Sequence, residues 1–313
     1  MAVLLIVVGL FLLVFGGDYL VKGAAGIALK YDMPAMLVGM TIVAIGTSAP
    51  ELVVSVQAAL AGKPDIAIGN VVGSNIANVA LILGLTVLIF PIAVRKTSLQ
   101  FDWVAMMLAS VAFYVLALDS LISRIEGVFM VLGLIAFISL SFHKARKSKV
   151  QRIADDVPLD AKTKATWLLF LFVVLGSVAL IFGARWFLQG AEVVAKNFGM
   201  SDRVIAVTLV AFGTSVPELA TSVIAAIKKQ DDISLGNIIG SNLFNLLSII
   251  GIAAAIMPIG VSDEIMSSDV FWMIGTSFAI LPLSIIGYRI NRFSGALLVL
   301  TYIVFVYFML STP

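Results

Sequence analysis

GTSAPE occupies Gly46–Glu51, and a near copy, GTSVPE, occupies Gly213–Glu218. Each sets a carboxylate, two hydroxyls and a proline inside an otherwise apolar run. Proline has no N–H and cannot bond the carbonyl four residues back. Pro50 and Pro217 should therefore interrupt a helix in mid-course, where Gly46 and Gly213 tolerate irregular backbone. The two copies lie 167 positions apart. The same offset, without a gap, relates Gly16 to Gly183, Gly23 to Gly190, Gly69 to Gly236, Asn78 to Asn245, Pro91 to Pro258 and Asp102 to Asp269. The chain is an internal duplication.

Of 313 residues, 61% are hydrophobic and 12% charged, and the mean hydropathy is +1.12. This is the composition of an integral membrane protein. At ~20 apolar residues per crossing, the segments fall at 2–27, 35–61, 66–90, 101–118, 124–142, 165–195, 203–227, 233–258, 268–288 and 294–311. The expected fold is all-α and membrane-embedded, with about ten transmembrane helices in two five-helix repeats, broken at the midplane. The halves are 1–142 and 165–313, joined by a polar loop at 143–164. Because five is odd, the second copy enters the membrane from the opposite side, giving the inverted repeats typical of transporters. Met1 leads straight into an apolar run without a basic flank, so a spanning helix is expected there and a removable signal is not.

Basic residues favour cytoplasmic loops. With the amino terminus outside, fourteen fall inside (Lys30, Arg95, Lys96, seven in 143–164, Lys228, Lys229, Arg289 and Arg292) and four outside (Lys63, Arg124, Lys196 and Arg203). This predicts a cell (inner) membrane protein with loop 143–164 in the cytoplasm. There is no Cys, and the sole His, His143, lies in the charged loop, so thiolate and imidazole chemistry are absent from the membrane. Net charge of +2 suggests no nucleic-acid partner. No Gly-rich phosphate loop supports an ATP-driven pump.

A carboxylate near the bilayer centre costs at least ~2.5–3.5 kcal/mol, and a bound cation would compensate Glu51 and Glu218. Thr47 and Ser48 precede Glu51 by four and three residues, so helical continuation sets hydroxyls and carboxylate on one face. Thr214, Ser215 and Glu218 repeat this. The following segments carry GNVVGSNIAN (Gly69–Asn78) and GNIIGSNLFN (Gly236–Asn245). Asn70, Ser74 and Asn78 form an i, i+4, i+8 polar stripe, as do Asn237, Ser241 and Asn245. Gly69/Gly73 and Gly236/Gly240 would admit close backbone approach. Two such hairpins facing each other would enclose two carboxylates, hydroxyls, amide oxygens and freed carbonyls, all hard ligands suited to Na⁺ or Ca²⁺.

The pairs GTSAPELVVSV/GNVVGSN and GTSVPELATSV/GNIIGSN resemble the alpha repeats of the calcium/cation antiporter superfamily, closest to its prokaryotic sodium/calcium exchanger branch. The resemblance covers essentially the whole chain. It implies ten helices, a midplane Ca²⁺ position flanked by Na⁺ positions, and first and sixth helices that slide past the bundle. By motif position, Glu51 and Glu218 would bridge Ca²⁺ and Na⁺, and the Thr47 and Thr214 carbonyls would reach Ca²⁺. Ser48, Ser215, Ser74, Ser241 and the Ala44 and Ala211 carbonyls would serve Na⁺. Many exchangers carry Asp where this chain has Asn245, which removes a carboxylate. The stripes lack the additional Glu and His of the proton-coupled branch, which favours Na⁺.

Transported Ca²⁺ and Na⁺ are thus the expected substrates, with membrane lipid around the protein and no cofactor. The alternatives are a proton-coupled cation exchanger and, from another class, a membrane-embedded hydrolase with a carboxylate dyad. The latter would need Arg, Lys or His beside the carboxylates, and neither motif core has one. Other charges have plainer readings. Asp18 and Lys22 suit a local i, i+4 pair, Arg185 stands at the repeat equivalent of Asp18 within reach of a cross pairing, and Asp102, Asp119 and Asp269 read as membrane-edge charges. Trp103, Trp167, Trp186 and Trp272 read as interfacial anchors or packing.

Overall fold

A computed structural model describes residues 1–147, 165–197 and 213–311. Its helices are α1 (Ala2–Lys30), α2 (Ala35–Thr47), α3 (Ala49–Leu60), α4 (Pro64–Ile89), α5 (Ser98–Asp119) and α6 (Arg124–Lys147). The second half supplies α7 (Thr166–Asn197), α8 (Val216–Ile227), α9 (Asp231–Ile256), α10 (Ile265–Ile285) and α11 (Arg292–Ser311). Among the described residues eight helices are long and apolar enough to cross a membrane, and nine if α2 and α3 form one broken span. The seventh expected segment, 203–227, lies outside the described residues up to 212.

The duplication reappears in the backbone. Pro64–Ile76 and Asp231–Leu243 are α-helical, each runs into a π-helical stretch, Ala77–Leu83 and Phe244–Ile250, and each returns to α-helix at Gly84 and Gly251. All these bounds differ by 167. Two-residue strands tie the halves together. β1 (Ile92–Ala93) pairs antiparallel with β4 (Arg289–Ile290), and β2 (Leu121–Ile122) with β3 (Ile259–Gly260).

Position in the fold follows polarity. Some 72% and 78% of the most apolar stretches of α4 and α9 are buried inside the protein, against 22–33% for the other long helices, so these two form the centre. The outer helices turn large apolar side chains outward, among them Phe11, Phe129, Phe170, Phe293 and Tyr307. An apolar surface this extensive suits lipid rather than water.

Glycine sets the closest helix pairings. On α1 and α7, Gly16 and Gly176 abut so tightly that a Cβ on either would lie 2.8 or 2.7 Å from the other's carbonyl oxygen, and Gly9 meets Gly183 in the same way. Position numbers that rise on one helix as they fall on the other make this pair antiparallel. Gly84 against Gly295 joins α4 to α11, and Gly127 against Gly251 joins α6 to α9. Each half's last helix therefore packs on the other half's central helix.

Three local expectations need adjustment. α6 continues to Lys147, past the apolar run that ends at 142, and in this extension Lys144 packs over the Phe101 ring. Asp18 does pair with Lys22, at 2.6 Å, but its cross-helix partner is Lys228 rather than Arg185. Gly17 lets Ile224 and Ala220 of α8 lie against α1, which brings the end of α8 to Asp18. Asp102 is buried and lines a cavity of about 460 Å³ with Arg95, Lys96 and Lys144, whereas Asp119 is exposed and caps the Leu121 N–H. Most of loop 143–164 lies outside the described residues.

Candidate cation site

The break beside Pro50 forms as the sequence predicts. α2 and α3 meet at Ser48, whose φ of −85° and ψ of 9° are not helical, and their axes diverge by 52°. Ser215, at φ −90° and ψ 3°, opens α8 in the same way. Pro50 and Pro217 occupy the first turns of α3 and α8, where a missing N–H costs nothing. Glu51 and Glu218 share those turns, so each carboxylate stands at a helix start, where negative charge is favoured.

Both carboxylates are buried, 1% and 0% exposed. Among the described residues no Lys or Arg is ion-paired with either. Contacts that cross between the halves surround them. The Ser48 hydroxyl donates to Glu218 Oε1 at 3.0 Å. Thr47 donates to Asn237 Oδ1 at 3.1 Å, and Thr214 donates to Asn70 Oδ1 at 3.4 Å. Ser74 and Thr214 approach to 3.5 Å. Asn70 in turn donates to Ser55 Oγ and the Glu51 carbonyl, and Asn237 to Ser222 Oγ and the Glu218 carbonyl. The stripe asparagines at 70 and 237 thus brace the hairpins. Ser48 has no mirrored counterpart, because Ser215 Oγ makes no hydrogen bond.

Most of the unsatisfied atoms fall on the predicted site residues. Among the described residues, nine buried side-chain N or O atoms lack a hydrogen-bond partner. Six belong to predicted site residues: Glu51 Oε2, Glu218 Oε2, Ser215 Oγ, Ser241 Oγ, Asn78 Oδ1 and Asn245 Oδ1. All six are oxygens. A buried acceptor without a partner costs about 1–3 kcal/mol, so such a cluster is costly unless one species satisfies several oxygens together. A cation does that. No three His, Cys, Asp or Glu side chains gather among the described residues, and Glu51 and Glu218 are the two carboxylates among the predicted site residues. Two charges with neutral oxygens suit an ion that must leave again, since conduction requires binding weak enough for release.

The carbonyl positions divide. Ala44 O accepts bonds from Ser48 N (2.9 Å) and Thr47 Oγ1 (3.3 Å), so it could serve an ion only if the Thr47 hydroxyl turned away. Ala211 lies outside the described residues. Of the paired glycines, Gly236 and Gly240 receive the backbone of Met36–Met40, whereas nothing described lies within 4 Å of where a Cβ on Gly69 or Gly73 would be.

Two residues escaped the sequence reading. Asn75 and Asn242 stand one position past Ser74 and Ser241, off the i, i+4, i+8 stripe, yet both are buried at the centre. Asn245 Nδ2 donates to Asn75 Oδ1, and Asn78 Nδ2 donates to Asn242 Oδ1, each at 3.0 Å. The recurrence of GSN in both copies is the available signal, but nothing in helical spacing assigns that Asn a partner in the other half.

Comparison with known proteins places the whole chain among exchangers. The family described as sodium/calcium exchanger protein matches residues 1–143 and 168–311. A putative antiporter, CaxA, of Alkalimonas amylolytica is 36% identical, with 99% of each chain covered. The sodium/calcium exchanger MaX1 of Methanosarcina acetivorans is 33% identical, with 96% of each covered. Among solved structures, the sodium-calcium exchanger NCX_Mj soaked with Na⁺ and Ca²⁺ superimposes with a TM-score of 0.82 at 30% identity, covering 100% of this chain and 98% of that one.

Proposed function

The chain belongs to the sodium/calcium exchanger protein family, and on that premise we propose that it exchanges Ca²⁺ for Na⁺ by alternating access. It is a multi-pass membrane transporter and not an enzyme. The observation that carries the proposal is that six predicted site residues, Glu51 and Glu218 among them, each bury an oxygen without a hydrogen-bond partner. Glu51, Glu218 and the Thr47 and Thr214 carbonyls would hold Ca²⁺. Ser48, Ser215, Ser74, Ser241, Asn78, Asn245 and the Ala44 and Ala211 carbonyls would complete the Na⁺ positions. The 167-residue offset of the helix bounds supports two five-helix repeats, 1–142 and 165–313, of inverted topology and ten helices in all.

Na⁺ fits better than H⁺ as the coupling ion. A proton satisfies a single carboxylate oxygen, and four of the six partnerless oxygens are hydroxyl or amide oxygens that do not take up a proton. Charge bears on coupling as well. Two carboxylates balance one Ca²⁺ or two Na⁺, and a third Na⁺ would leave a net positive charge in a low-dielectric site. With Asn at 245, this favours fewer Na⁺ per Ca²⁺ than in relatives with Asp there, or weaker binding of the last Na⁺.

Proteoliposomes test both points. Uptake of ⁴⁵Ca²⁺ should follow an outward Na⁺ gradient and ignore a pH gradient imposed alone. Uptake driven by pH with no Na⁺ present would establish the proton-coupled alternative. Repeating the assay with the membrane potential clamped at several values gives the net charge per cycle.

Orientation is a separate expectation, resting on the fourteen-to-four basic bias. The chain has no native Cys, so single substitutions report cleanly. Lys63→Cys should react with an impermeant maleimide on intact cells, and Lys96→Cys only after permeabilisation. The reverse pattern would place the amino terminus inside.

A further inference from the structure

Asn75 and Asn242 form a clasp between the halves. Each uses its whole amide. Asn75 Nδ2 donates to the Asn242 carbonyl at 3.3 Å and faces Met273 Sδ at 3.7 Å. Asn242 Nδ2 donates to the Asn75 carbonyl at 3.4 Å and faces Met106 Sδ at 3.7 Å. Met106 and Met273 are themselves fully buried and lie 167 positions apart. With both N–H groups of each amide engaged, the Oδ1 atoms are left to accept, and they take the Asn245 and Asn78 amide nitrogens at 3.0 Å.

An asparagine amide has nearly the same shape either way round, but one way offers a cation an oxygen and the other two N–H donors. Tying back Nδ2 of Asn78 and Asn245 settles the choice, and their Oδ1 atoms are the ones without a partner. We infer that Asn75 and Asn242 are positioning residues for the ion site, holding the amides of Asn245 and Asn78 crosswise between the halves so that each presents oxygen to the cation. This rests on the exchange reading above and adds residues that touch no ion. It also bears on position 245 itself. Aspartate there has no N–H for Asn75 Oδ1, so Asn75 suits an amide at 245 and opposes a carboxylate.

The test is a set of double-mutant cycles read by Ca²⁺-dependent thermal stabilisation in detergent and by the KM for Ca²⁺ set against the maximal rate. Asn75→Ala should weaken apparent Ca²⁺ affinity roughly tenfold, the upper end of the range for losing a hydrogen bond between two neutral amides. In an Asn245→Asp background, which presents oxygen whichever way it turns, the same change should cost less than about twofold. In an Asn78→Asp background it should keep its full effect, because Asn78 answers to Asn242. The mirrored cycle, Asn242→Ala with Asn78→Asp, uses independent variants should one protein fail to fold. Equal losses in the wild-type and Asn245→Asp backgrounds would mean the clasp only holds the fold, and would overturn the inference while leaving exchange intact. A wild type showing no Ca²⁺- or Na⁺-dependent stabilisation would remove the exchange reading and this inference with it.

Discussion

Glu51→Gln and Glu218→Gln should each abolish Ca²⁺ transport and reduce Ca²⁺ affinity by at least two orders of magnitude. Each removes one of only two charges facing the ion while keeping the shape of the side chain. Truncating one partner of a buried charge pair costs about 3–5 kcal/mol, and every 1.4 kcal/mol is tenfold in affinity. Stability should move the other way when no cation is present. Both carboxylates are fully buried, and among the described residues neither is paired with a base, so neutralising one relieves a desolvated charge and its repulsion with the other. Thermal unfolding in detergent separates the two effects. In wild type, saturating Ca²⁺ should add about 2.7 kcal/mol at a hundredfold excess over Kd. In either mutant that increment should vanish, while the cation-free protein unfolds at the same temperature or higher. Calcium-dependent stabilisation that survives in both mutants would remove the two carboxylates from the site.

Gly240→Ala should destabilise the protein markedly, and Gly240→Leu should prevent a native fold. A Cβ on Gly240 would lie 2.6 Å from the Met40 carbonyl oxygen and 2.8 Å from its carbonyl carbon. These are main-chain atoms of α2, which cannot rotate aside, so α2 would have to leave α9. Overpacking of this kind costs about 1–3 kcal/mol and more where backbone must move. The control runs in the opposite direction. Gly133 on α6 is exposed and a Cβ there would meet nothing within 4 Å, so Gly133→Ala should gain up to ~1 kcal/mol from helix propensity. Equal melting temperatures for Gly240→Ala and Gly133→Ala would show that α2 and α9 are not in contact as described. The site depends on that contact, since α2 carries Thr47 and α9 carries Asn237, which it meets at 3.1 Å.

What the sequence determined by itself is local or periodic. The 167-residue offset, the helix break beside Pro50 and the placing of Glu51 and Glu218 at helix starts are readable because each depends on a residue and its neighbours within one turn, or on a register between two copies. Apolar length placed the long helices for the same reason. The remainder was decided between elements. Asn75 fell off the polar stripe because an α-helical period turns it about 100° from Ser74, and the structure gives it partners at Asn242 and Asn245, 167 and 170 residues away. The π-helical turns at Ala77–Leu83 and Phe244–Ile250 also shift the register that an ideal stripe assumes. Lys228 reached Asp18 in place of Arg185 because Gly17 lets α8 lie against α1, a choice set by packing rather than by repeat position. Spacing along a chain specifies which side chains share one helix face. Which face of another helix they meet depends on the backbone approach that the paired glycines allow, and that exists only once both halves have folded together.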